Sequence, residues 1–403
     1  AAAQLQSAIG AYQRDSGLLA GEPAAVTVHR LVGARPDGSF KRGPGNRLPY
    51  DVVVVDETSM LPVALMSRLL ESLRPQARLI LVGDPHQLVS VEAGAVLADL
   101  VERARDAPAD TPAEVPAVLA AAGPGADFTD TEQRALAAGV ITLRRGHRYG
   151  GAIAQIAEAV NEGRADDVLA LLAAGETADP DAPGGRVVLI DPDQLTPIRR
   201  QVIDWAAGVR GAAGEGRDRD ALAALNGHRV LCAHRDGRYG VGGWSRLVTG
   251  WIGEELEGPV AGSAWYPGQP LLVTANDPAQ AVYNGDVGVV VADPAGDTGE
   301  LAAVFERGEH IHRLHPSQLA DAVPVYAMTI HRSQGSQFGA VTVVLPPAEA
   351  ELLSRELLYT AITRAEHTVR IVGTAESLRA AIGRRVQRAS GLRSQAGEDG
   401  ASS

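Results

Sequence analysis

The sequence predicts an α/β protein of two domains, the second interrupted by a small all-β insertion, and three observations carry that expectation. First, Asp51-Val52-Val53-Val54-Val55 and Arg78-Leu79-Ile80-Leu81-Val82 are continuous apolar runs, the pattern of parallel strands buried on both faces. Leu65, Leu69 and Leu73 lie between them at helical spacing, so strand, helix and strand complete one βαβ unit in about thirty residues. Second, the pattern repeats downstream. Strands are expected at Val140 to Leu143, Val187 to Ile190 and Val230 to Ala233, with a helix from Ile153 to Asn161. It resumes with strands at Val325 to Thr329, Val341 to Leu345 and Val369 to Val372, and a helix from Ala350 to Ile362. Third, the interval between those two stretches changes texture. Short runs such as Leu271-Leu272-Val273-Thr274 and Val287-Gly288-Val289-Val290-Val291 are punctuated by Asn284-Gly285-Asp286 and Asp293-Pro294, which read as turns.

These elements set the expected boundaries. The first domain covers 1–104, and an Ala/Pro-rich linker or surface excursion covers 105–137. The second domain covers 138–262 and 326–385, the β insertion 263–325, and a polar, disordered tail 386–403.

At 403 residues, 45% hydrophobic and 21% charged, the chain has material for two to three domains of about 150 residues each. Lys41 is the only lysine, so arginine supplies the rest of the 37 Lys+Arg. A phosphate-binding loop needs G-x-x-x-x-G-K-[ST], and Ser39-Phe40-Lys41-Arg42-Gly43-Pro44-Gly45 is not one. The chain therefore contains no P-loop. Cys232 is the single cysteine; it excludes an intramolecular disulfide and points to a reducing, cytoplasmic compartment. No apolar run approaches the ~20 residues of a membrane span. The net charge of −12 argues mildly against a nucleic-acid partner, although affinity follows the local field rather than the sum. The chain opens on Ala1 in a helix-like stretch, from which we expect that upstream sequence is missing.

Asp56-Glu57 follows the first strand directly, at the end where open α/β sheets bind ligands. A solvated acidic turn would look the same. The second strand ends in Gly83-Asp84-Pro85-His86-Gln87-Leu88, placing an amide at the neighbouring edge, and the two loops together favour an NTPase in which one carboxylate holds Mg²⁺ and the next takes a proton from water.

With these residues in hand, Val54-Val55-Asp56-Glu57-Thr58-Ser59-Met60 resembles the Walker B box, and Leu81-Val82-Gly83-Asp84-Pro85-His86-Gln87-Leu88 the third motif, of superfamily 1 DNA helicases. Ser90-Val91-Glu92-Ala93-Gly94-Ala95-Val96-Leu97, Thr27-Val28-His29-Arg30-Leu31-Val32-Gly33 and Tyr239-Gly240-Val241 are similar to the RecD helicases, the family of the alpha subunit of exodeoxyribonuclease V. The resemblance implies two RecA-like P-loop NTPase domains, the first incomplete, with an SH3-like β-barrel inserted in the second. It implies that ATP and Mg²⁺ are the cofactors, with Asp56 on Mg²⁺ through water, Glu57 activating water and Gln87 on the γ-phosphate. Arg148, in Arg145-Gly146-His147-Arg148-Tyr149, and Arg364, in Thr360-Ala361-Ile362-Thr363-Arg364-Ala365, would be arginine fingers. Thr329-Ile330-His331-Arg332-Ser333-Gln334-Gly335-Ser336-Gln337 resembles the fifth motif, a strand entering a helix. There Thr329, His331, Ser333 and Gln334 would bind DNA phosphates, as would His29 upstream. Arg332 replaces a frequent lysine, and Gln337 replaces a glutamate associated with the nucleotide ribose.

The function implied is an ATP-dependent 5′–3′ DNA helicase or translocase in double-strand break repair and recombination. Its partners would be single-stranded DNA at duplex ends and RecB and RecC subunits. A stand-alone helicase of the same superfamily and a non-hydrolysing DNA-binding scaffold are the alternatives. His310, His312 and His315 lack the further ligands that a metal site requires, and Trp205, Trp244, Trp251 and Trp265 are assigned no role.

Overall fold

The computed structural model describes residues 25–35, 37–89, 96–106, 129–143, 151–176, 185–256, 265–293, 300–308 and 310–386. The described residues from 25 to 143 form one compact unit and those from 151 to 385 another. No helix among the described residues is long and apolar enough to cross a membrane.

The first unit runs α1 (Val28–Val32), β1 (Val52–Val55), α2 (Val63–Ser72), β2 (Arg78–Leu81), α3 (Val96–Arg105) and α4 (Asp130–Ala137). β1 and β2 pair in parallel, Val52 opposite Arg78 and Val55 opposite Leu81. The leucines at helical spacing do what their period predicts: Leu65, Met66 and Leu69 of α2, with Leu73 beyond it, are buried against Val53 and Val55. Each such side chain contributes about 1.5–3 kcal/mol of burial. Val52, Val54, Ile80 and Val82 are 41–53% exposed, and among the described residues the packed apolar cluster lies on the Val53 and Val55 side, so the expected burial of both sheet faces is seen there for one face.

α4 stands inside the stretch expected to be a linker. Thr129 caps it, accepting from the Glu132 amide while the Glu132 carboxylate accepts from the Thr129 amide at 2.8 Å. This capping box, with Ala135 buried behind it, makes residues 130–137 a helix despite their low apolar content. Residues 107–128 lie outside the described set. The strand expected at Val140 to Leu143 is absent. These residues pair with no described strand, and Leu143 is 88% exposed. Among the described residues the division between the two units falls between 143 and 151.

The second unit continues with α5 (Gly151–Glu162), α6 (Ala165–Glu176), β3 (Arg186–Ile190), α7 (Thr196–Gly214), α8 (Asp218–Leu225), β4 (His228–Cys232) and α9 (Val241–Glu255). β5 (Pro270–Val273), β6 (Val287–Ala292), β7 (Leu301–Arg307), β8 (His310–Leu314) and β9 (Ala322–Pro324) follow. β10 (Ala327–Thr329), β11 (Phe338–Val344), α10 (Arg355–Ile362), β12 (Ala365–Val372) and α11 (Ala375–Gly383) complete it.

Its main sheet has the order β10-β4-β11-β12-β3, every pair parallel. All strand C-termini therefore share one edge, the edge at which such sheets bind ligands. β5 to β9 make a separate antiparallel sheet of order β8-β7-β6-β5-β9. One face of that sheet, through Val289, Val291, Ala302 and Val304, packs on α7 and α8. The other buries Leu271, Val273, Val290 and Phe305. The inserted sheet thus shares a core with the unit that carries it. In it, His312 Nε2 lies 2.7 Å from the Gln280 carbonyl, and His315 caps the 3₁₀ turn at Pro316–Gln318. Among the described residues no group of His, Cys, Asp or Glu is arranged to hold a metal.

Candidate functional site

In the first unit the ends of β1 and β2 are joined by backbone hydrogen bonds. Val82 donates to Val55 at 2.8 Å, Thr58 donates to Val82 at 3.0 Å, and the Thr58 hydroxyl donates to the Val55 carbonyl at 3.0 Å. Between these anchors lie the two carboxylates. Asp56 is exposed, and its Oδ1 accepts the Glu57 amide at 2.9 Å. Glu57 has φ 51°, a left-handed conformation that only Ala281 shares among the described non-glycine residues. Such a backbone costs about 1–2 kcal/mol and persists only where its flanks are pinned, as here.

The β2 loop completes the group. The Asp84 carboxylate accepts the His86 amide at 2.9 Å and Gln87 Nε2 at 3.3 Å. Gln87 is 7% exposed, and its Oε1 is buried with no hydrogen-bond partner among the described residues. Gly83 lets this loop close on the first. A Cβ there would stand 2.8 Å from Leu97 Cδ2, 3.1 Å from the Thr58 nitrogen and 3.3 Å from the Ser59 nitrogen. We expect Gly83→Val to destabilise the first unit by about 1–3 kcal/mol through overpacking. Hydrogen exchange of the Thr58 and Val82 amides measures this, and unchanged protection would contradict it.

In the second unit β10 delivers Thr329 to the C-terminal edge of the sheet. The helix expected after it is a single 3₁₀ turn, Ile330–Ser333. Gly335, at φ 77°, ends the turn, and the Phe338 amide bonds the Arg364 carbonyl at 2.9 Å, drawing the chain into β11. Thr329 Oγ1 caps the turn by accepting from the Arg332 amide at 3.3 Å. His331, Gln334 and Gln337 are half-buried, and Arg332 is exposed. Ser333, expected as a DNA contact, is fully buried with its hydroxyl donated to the Ile330 carbonyl at 2.8 Å; it supports the turn and leaves the contact set. His29 is exposed on α1, which Thr27 caps.

Arg364, expected as a finger, is 3% exposed. Its guanidinium bonds the Thr360 carbonyl at 3.1 Å, the Ser336 carbonyl at 3.4 Å and Thr363 Oγ1 at 3.5 Å. The last two are at the long end of the hydrogen-bond range, so phosphate oxygens could replace them at a gain. Arg148 lies outside the described residues.

Sequence reasoning missed Arg229. It is 1% exposed, donates to the Val325 carbonyl at 3.0 Å, and lies 5.1 Å from the Phe338 ring centroid. It therefore ties down both ends of the Thr329–Gln337 segment. Burial pushes its guanidinium down to about 10. A strand opening His-Arg reads as solvent-facing, so periodicity holds no signal for it.

Residues 1–93 match the AAA domain family and residues 324–372 the UvrD-like helicase C-terminal domain. The first range contains Asp56, Glu57 and Gln87, the second Thr329 to Gln337 and Arg364. Over 373 residues, 92% of this chain, the sequence is 47% identical to RecBCD enzyme subunit RecD of Mycolicibacterium smegmatis. Over that region the chain is similar to RecD proteins. RecD of Haemophilus influenzae is 30% identical over 91% of the chain. The ATP-dependent RecD2 DNA helicase of Deinococcus radiodurans is 30% identical over 89% of the chain and covers 41% of its own length. The chain spans 58% of the length of these two RecD proteins.

Proposed function

We propose that the chain carries motor elements of a RecD-type, ATP-dependent 5′–3′ DNA helicase that works with RecB and RecC partners on single strands at duplex ends. The observation that carries this reading is the joined pair of loops holding Asp56, left-handed Glu57 and buried Gln87 at one end of β1 and β2. The 47% identity to RecD of Mycolicibacterium smegmatis over 92% of the chain supports the subunit reading.

Mg²⁺ fits Asp56: one carboxylate oxygen is engaged by the Glu57 amide, which leaves Oδ2 as a hard oxygen donor at the surface. When bound, the ion would neutralise charge developing on the transferred phosphoryl group. Glu57 would accept a proton from the attacking water. Gln87, whose Oε1 has no partner among the described residues, would contact the γ-phosphate. Arg148 and Arg364 would bind phosphate oxygens, and Gln337 the ribose. For the phosphate cradle the fit is incomplete, since no residue of this chain forms a P-loop. The inserted sheet would serve as the SH3-like element beside the single strand. Thr329, His331 and Gln334, with His29, would hold DNA phosphates.

The test is DNA binding by the second-unit edge. His331→Ala is expected to weaken single-stranded DNA binding 2- to 10-fold, about 0.5–1.5 kcal/mol, equally for all sequences. Arg332→Gln is expected to lower the salt slope by about one ion. Thr329→Ser, which keeps the cap, serves as the folding control. A loss confined to particular sequences would argue against phosphate contacts.

A further inference from the structure

A cavity of about 520 Å³ opens between α7 and the main sheet, and none of the residues assigned above lines it. Arg200, Gln201, Asp204 and Trp205 face it from one stripe of α7, and His228 of β4 and Arg370 of β12 face it from the sheet. Its volume is within the range of small-molecule sites, about 300–1,000 Å³.

Its polar groups are unmatched in a consistent way. Arg370 is half-buried, its Nη1 has no hydrogen-bond partner, and no carboxylate pairs with it among the described residues. Burial, and then the neighbouring Arg186, lower its basicity, which is the signature of a cation short of a counter-ion. Arg200, which also lines the cavity, is exposed and has no ion pair among the described residues. His228 cannot supply charge, since burial holds it neutral and its Nε2 lies 2.9 Å from Thr342 Oγ1. Gln201 Oε1 is a buried acceptor with no donor. Trp205 forms an aromatic wall; its indole N–H is fixed on the Ala224 carbonyl at 3.0 Å, and its ring is edge-on to His228 at 5.9 Å.

Two cations without anions, an acceptor without a donor and a fixed aromatic wall together describe a ligand that is anionic, planar and N–H bearing. We propose that this cavity binds a nucleoside monophosphate, with the phosphate on Arg370 and Arg200, the base against Trp205 and a base N–H on Gln201. The single acidic lining group, Asp204, is exposed and selects against a second phosphate nearby.

The test is calorimetric titration of the 403-residue chain with deoxyadenosine 5′-monophosphate, deoxyadenosine and inorganic phosphate, in EDTA so that no Mg²⁺–nucleotide forms. Saturable binding of the monophosphate is expected, at least tenfold tighter than either fragment. Arg370→Met should weaken it tenfold or more, while its melting temperature without ligand is unchanged or higher, because an uncompensated charge has been removed. Arg200→Gln, at an exposed position that does not threaten folding, should weaken it severalfold. The proposal is overturned by absence of saturable binding, by inorganic phosphate binding as tightly as the nucleotide, or by both arginine variants binding like the parent chain.

Discussion

The 403-residue chain alone is expected to hydrolyse ATP at least ~10²–10³-fold more slowly than a RecD protein containing a phosphate-binding loop, with or without single-stranded DNA. Removing even one donor that stabilises transition-state charge costs about that much, and a P-loop supplies several. The sole lysine is no substitute. Lys41 is exposed, and its amide bonds the Gly33 carbonyl at 2.9 Å, holding it against the turn that follows α1. A Cβ on Gly33 would stand 2.6 Å from Lys41 Cβ, so this is a packed corner rather than an open nest of amides. In a protein of the relatives' full length that has the loop, Glu57→Gln is expected to lower kcat by about 10²–10⁴ with nucleotide affinity largely kept, as loss of a general base would. A coupled ATPase assay measures both. Robust DNA-stimulated turnover by the present chain, abolished by Glu57→Gln, would overturn the reading of its lysine content.

The sequence made the α/β layout legible because its signals are local. β-branched runs specify parallel strands, leucines at helical spacing specify the helix between them, and the acidic and amide loops lie directly at strand ends. What stayed hidden depends on partners distant in sequence. Val52 and Val54 read like Val53 and Val55, and only the apolar cluster that the described residues form on one side separates exposed from buried. Val140 to Leu143 has strand composition but no described strand beside it. Ser333 was read as a donor to DNA, yet the tight turn that Gly335 ends directs its hydroxyl back to Ile330. Arg229 and His228 open β4 with two polar side chains that the fold buries completely. The helix at Asp130–Ala137 was legible in Thr129-x-x-Glu132, but the surrounding Ala, Pro and Asp obscured it.

His228 also makes the second unit sensitive to mild acid. Its folded pKa, lowered to about 3 by burial first and then by Arg370 and Arg229, lies well below the ordinary 6.5. The fold therefore favours the neutral ring. That preference contributes fully above pH 6.5, because neither state then holds the extra proton. As the pH falls below 6.5 the unfolded chain gains a proton that the folded chain refuses, and stability is lost progressively toward pH 3. At pH 5 the loss is roughly 2 kcal/mol, from about 1.36 kcal/mol per pH unit over the interval below 6.5. Trp205, Trp244, Trp251 and Trp265 are the only tryptophans and all lie in this unit, so urea unfolding followed by their fluorescence reports it selectively. His228→Gln can keep the bond to Thr342 without a titrating ring. It is expected to shrink the difference in unfolding free energy between pH 7 and pH 5 by that amount. An equal pH dependence in parent and variant would show that the buried imidazole is not the acid-sensitive group.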